Sequence, residues 1–195
     1  MIKNKPYIIF VEGACGCGKS TICKELREKM KYTTLLDLSA VEDKTEVGER
    51  QMHKYHSNLL DMFDNTKYCG MNYVVCRSFM SEKIYCNLGY KPYSFEQYYR
   101  VLVKQLEYLT RYYNVYFILL TTNQYDLSIR LKRDKAEYHK FSIENSLAQQ
   151  EEYQKEFRKL ARITDDDLYI LEMENDNIER VVNTIIKVVN EGLIG

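Results

Sequence analysis

The sequence has no tryptophan, two prolines, eight glycines and no surplus of either charge, since 28 lysines and arginines are matched by 28 aspartates and glutamates. Without a diffuse basic surface a chain cannot gain affinity for a polyanion by counterion release, so the composition argues against nucleic acid as a partner. Any anionic ligand must meet a local site. No apolar run approaches the roughly 20 residues that cross a bilayer; the longest, at 7–11 and 115–120, have the length of buried strands. The opening MIKNKPYIIFVEG has no small-residue cleavage site and runs straight into a glycine-rich turn, so a cytoplasmic protein without a membrane partner is expected. None of the six cysteines makes a C-x-x-C pair or stands at zinc spacing from a histidine, which suits free thiols in a reducing compartment. The scarcity of proline and glycine also leaves no linker, and one domain over residues 1–195 is the expectation, with ample length to bury a core.

What is present is an alternation. Short apolar runs at 7–12, 33–38, 73–76, 115–121 and 168–171 read as strands. Between them lie stripes at helical spacing. Met52, Tyr55, Leu59, Met62 and Phe63 form one; Phe95, Tyr98, Leu102, Leu106 and Leu109 form a second, introduced by a capping box from Ser94 to Gln97. Ile143, Leu147, Phe157 and Leu160 sketch a third, and Ile178, Val181, Val182, Ile185 and Val188 a fourth. Strands that alternate with helices imply an α/β fold with a parallel sheet covered on both faces.

Directly after the first strand stands Gly13-Ala14-Cys15-Gly16-Cys17-Gly18-Lys19-Ser20-Thr21, a G-x-x-x-x-G-K-[ST] loop between a buried strand and a helical pattern through Ile22, Leu26 and Met30. The glycines let backbone N–H groups turn toward a phosphate, and the helix end behind them adds positive charge. Lys19 is expected to reach the β- and γ-phosphates of a nucleoside triphosphate and Ser20 to ligate Mg²⁺. Cys15 and Cys17 read as small fillers facing the ligand; oxidation or alkylation there is expected to block nucleotide binding. GTPase signatures, D-x-x-G and N-K-x-D, are absent.

The segments FVEGACGCGKST, CRSFMSEKIY and RLKRDKAEYHKFSIENSLAQQEEYQKEF resemble, in order and spacing over most of the chain, the thymidylate kinase and deoxynucleoside kinase superfamily of P-loop kinases. The resemblance implies a three-layer sandwich of P-loop NTPase type with a five-stranded parallel sheet ordered 2-3-1-4-5, ATP and Mg²⁺ as cofactors, and a homodimer. It implies that Arg77 binds phosphate between donor and acceptor, and that a basic lid around 130–145, with Arg130, Lys132 and Arg133, closes over the donor.

The sequence departs from the family at Cys76, where members carry Asp or Glu that helps hold Mg²⁺; a thiol is a poor ligand for so hard a cation. Either Glu12 or Asp37 takes over, or metal binding is weakened, or the chain is a degenerate nucleotide-binding module.

The acceptor divides the superfamily. A nucleoside hydroxyl needs a carboxylate to take its proton, for which Asp37 is the candidate, whereas a monophosphate needs cations alone. No Pro follows Asp37, and EEYQKEFRKLA resembles the monophosphate kinases more closely, so a deoxynucleoside monophosphate, thymidylate first, is the expected acceptor, with a nucleoside as the alternative. Phe63, Tyr85 and Arg100 are candidates for the base pocket. His53 and His56 lack a third metal ligand, and Asp165, Asp166 and Asp167 read as a solvated turn.

Overall fold

The computed structural model describes residues 5–38, 45–133, 142–164 and 168–191. Its elements follow in the order β1 (Tyr7–Gly13), α1 (Lys19–Lys29), β2 (Thr33–Asp37), α2 (Glu46–Thr66), β3 (Asn72–Cys76), α3 (Phe79–Asn87), α4 (Glu96–Leu109), β4 (Asn114–Thr121), α5 (Gln124–Arg133), α6 (Ile143–Ile163), β5 (Tyr169–Glu174) and α7 (Ile178–Glu191). The five strands form one parallel sheet in the order β2-β3-β1-β4-β5. This is the expected order.

Alternation along β1 divides the interior. Ile8 and Phe10 point to a core roofed by α2, α3, α4 and α6, where Phe10 stacks on Phe117 at 4.7 Å; Ile9 and Val11 point to a second core closed by α1 and α7. Because both faces are covered, the central strands are apolar at nearly every position rather than at every second one.

Register brings the chemistry to one edge. Asp37 pairs with Cys76, Val11 with Cys76, and Gly13 with Leu120, so the carboxyl ends of β1, β2, β3 and β4 finish together. The chain reverses its order on either side of β1 there, and in open parallel sheets ligands bind at such a point.

Local differences from the sequence reading have simple causes. On α2 the buried line is Met52, His56, Leu60 and Phe63, while Leu59 and Met62 are only part-covered and Tyr55 is exposed. The capping box at Ser94 does not form: Phe95 caps α4 without a side-chain bond, and Ser94 Oγ lies 3.5 Å from the Glu96 N–H. α3 has no stripe in the sequence, because Phe79, Met80, Ser81, Glu82, Lys83 and Ile84 are all buried. No described helix is long and apolar enough to cross a membrane.

Candidate active site

Three glycines of positive φ, Gly13 at the end of β1 and Gly16 and Gly18 after it, shape the loop. A Cβ on Gly13 (φ +144°) would stand 2.4 Å from the Leu120 carbonyl oxygen, and one on Gly18 (φ +92°) 2.5 Å from Asn175 Nδ2. Only glycine fits either place. Gly18 therefore opens α1 with no side chain in front of its free N–H groups, the arrangement that binds an anion. Lys19 is buried, and its Nζ donates to the carbonyls of Gly13 (2.6 Å) and Ala14 (2.7 Å), with Cys17 Sγ at 3.7 Å. Burial works against this ammonium, but Cys17, Tyr85 and Cys76 outweigh burial and keep its pKa above the ordinary value. It stays charged.

Of the loop thiols, Cys17 is turned inward and packs in the second core, whereas Cys15 is half-buried. The expectation that both face a ligand therefore survives only for Cys15. Ser20 and Thr21 are exposed at the start of α1. The neighbour of Ser20 Oγ is Cys76 Sγ at 3.8 Å, and behind it Cys23 completes a buried thiol pair. Cys23 keeps its proton, because burial raises its pKa, and the S–H it offers draws that of Cys76 down.

Glu12 is wholly buried. Its two oxygens accept from Ser78 Oγ (2.5 Å) and Ser81 Oγ (2.8 Å), and Ser81 is held in turn by Tyr153 at 2.8 Å. Burial pushes its pKa up against those hydroxyls and the nearby Lys19 and Arg77. Ser78 also caps α3 by accepting from the Met80 N–H, so this carboxylate ties β1 to the helix that follows Arg77.

Arg77 occupies the left-handed region at φ +71°, its N–H on Val11 O and its guanidinium 3.6 Å from Asp37 and 3.2 Å from the Leu38 carbonyl. A non-glycine residue held there stores about 1 to 3 kcal/mol. Asp37 stands half exposed at the end of β2. The structure thus joins Asp37 and Arg77 into one pair beside the loop.

Arg130 is on the other flank. Its guanidinium donates to the Cys17 carbonyl (3.2 Å) and to the Asn175 carbonyl (2.5 Å), while Asn175 Nδ2 donates to the same Cys17 carbonyl at 2.8 Å. The expected lid arginine is here a brace under the phosphate loop. Lys132 is exposed; the side chain of Arg133, residues 134–141 with His139 and Lys140, and Asp165, Asp166 and Asp167 lie outside the described residues.

The candidate base-pocket residues are not brought together. Phe63 is core against Phe10 and Tyr73, and Arg100 lies exposed on α4 with Glu96. Tyr85 alone faces the phosphate side, near Lys19, Arg77 and Cys15. His53 stacks on Tyr98, and His56 is buried beside Phe79, its pKa pushed down to about 3 by burial. Sequence reasoning missed Asn175, Gln149, Ser78 and Ser81; only the Asn-Asp-Asn run after β5 could have signalled the first of these.

No protein-family model and no curated protein matches the sequence. Solved structures do match in shape. The deoxyadenosine kinase from M. mycoides with bound dATP superposes with a TM-score of 0.66 at 17% identity, covering 94% of this chain and 99% of that one. The same kinase with the products dCMP and a flexible dCDP gives 0.63 at 16% identity, and with dCTP 0.59 at 15%, with the same coverage. The chain has the P-loop nucleoside kinase fold.

In a P-loop kinase fold Mg²⁺ is expected beside the Ser20 hydroxyl. The donors here do not fit it: Ser20 faces a sulfur, Glu12 has both oxygens on serines, and Asp37 pairs with Arg77. Mg²⁺ ordinarily takes one or two carboxylates with the substrate phosphates. Among the described residues no group of three or more His, Cys, Asp or Glu is placed to hold a metal.

Proposed function

We propose that the chain is an ATP-dependent kinase that phosphorylates the 5′-hydroxyl of a deoxynucleoside. The observation that carries this reading is the Asp37–Arg77 pair standing beside a glycine-walled loop with a charged Lys19 in it. The loop amides hold the phosphate tail of the donor, and Lys19 leaves its carbonyls to follow the charge on the transferring oxygens. Asp37 accepts the proton of the 5′-hydroxyl as that oxygen bonds to the γ-phosphorus. The bond from the γ-phosphorus to the bridging oxygen breaks and ADP departs, with Arg77 spanning donor and acceptor. The deoxyadenosine kinase of this fold named above supports the choice of acceptor class.

Charge matching favours the nucleoside over the monophosphate that the sequence suggested. A dianionic acceptor needs uncompensated cations on its side of the cleft. The cations of the β3–α3 side are each matched by a carboxylate: Arg77 by Asp37, Lys83 by Glu96 and Lys91 by Glu82. The monophosphate remains the second reading, favoured by the resemblance of the residues 151–161 to the monophosphate kinases.

ADP release measured over a panel of deoxynucleosides and their monophosphates separates the two. We expect turnover with a deoxynucleoside and a loss of about a hundredfold in kcat for Asp37→Asn. Turnover only with monophosphates would reverse the assignment, and no ADP release with any acceptor in the panel would leave a nucleotide-binding module.

A further inference from the structure

Gln149, on α6, is buried without exposed surface, and its Oε1 accepts the Cys15 N–H of the phosphate loop at 3.1 Å. A primary amide has one accepting and one donating end. With Oε1 on an N–H the group cannot be turned round, since Nε2 in that place would set donor against donor. The donating end is therefore fixed, and among the described residues it has no partner; nor does the Ser146 hydroxyl one turn earlier on the same helix. A buried donor without an acceptor is costly enough that native proteins rarely keep one without a use.

The surroundings indicate the missing acceptor. Cys15 follows Gly13 and Ala14, whose carbonyls hold the Lys19 ammonium, and its thiol feels both Lys19 and Arg77. The inner phosphates of a nucleotide fall to the amides around Gly18 and the start of α1. The place beside Cys15 and Lys19 is left for an anionic oxygen further out. The geometry points to Gln149 as the residue that binds the terminal phosphate of a nucleoside triphosphate and so distinguishes a triphosphate from a diphosphate. This rests on the kinase reading above. It adds a neutral donor tied to the loop through Cys15.

Calorimetric titration of ADP and of the β,γ-imido analogue of ATP, on the wild type, Gln149→Met and Gln149→Glu, tests it. One hydrogen bond to a charged oxygen corresponds to about a tenfold to hundredfold change in affinity. We expect that loss for the triphosphate analogue in Gln149→Met, with less than about threefold for ADP. Gln149→Glu, which can still accept from Cys15 but adds charge, should lose more on the triphosphate; it decides the test alone if the Met variant does not fold. Parallel losses on both nucleotides would overturn the inference, with Gln149 a prop for Cys15. So would no loss on either, with Nε2 serving a buried water only. A wild type that binds neither nucleotide would instead overturn the kinase reading, and this inference with it.

Discussion

Lys19→Ala is expected to lower phosphoryl transfer by about a hundredfold to a thousandfold, the usual loss when a single group stabilising transition-state charge is removed. The argument is electrostatic. An ammonium taken out of water and satisfied only by the carbonyls of Gly13 and Ala14 is a poor device for stability, since isolated burial of charge opposes folding. Its removal leaves two acceptors short of a donor but also removes the buried charge, so the thermal midpoint should move by no more than about 5 °C. ADP-release kinetics beside a thermal melt check both halves. A variant as fast as the wild type would sink the kinase assignment, and one that is simply unfolded would show the lysine to be structural.

Cys76→Asp carries the second large effect. It places a carboxylate next to Ser20, where the structure has a sulfur at 3.8 Å, and should raise the rate measured with magnesium present at least about tenfold. The same change sets a buried anion beside Cys23 and opposite Asp37 in the sheet, which should destabilise the fold by about 1 to 3 kcal/mol. Rate against magnesium concentration, with a denaturation curve for each protein, reads the two effects separately. An unchanged rate would mean that the reaction proceeds without a carboxylate at this position.

Much of this was legible along the chain because it is local. The glycines, Lys19 and Ser20 are neighbours in sequence, and the strand before them and helix after them are set by apolar spacing that tertiary contacts only reinforce. The sheet order was legible by resemblance. The pieces that escaped are those whose meaning depends on distant partners. Gln149 meets Cys15 across 134 positions and Asn175 meets Cys17 across 158, and an amide in a helix or after a strand looks like any solvated amide until its partner is known. α3 was silent for the opposite reason: burial on all sides erases the periodicity by which a helix is read. Glu12 looked free to serve a cation because the sequence does not reveal that Ser78 and Ser81 reach it first.

The conformation of Arg77 sets the residue against itself. Its guanidinium meets Asp37 only because the main chain is bent into a form that glycine adopts freely and arginine resists. A glycine there would relax the turn and delete the cation in one stroke. Selection for heat resistance alone would therefore favour glycine at position 77, and under the proposed reaction an arginine held in that posture trades durability for chemistry.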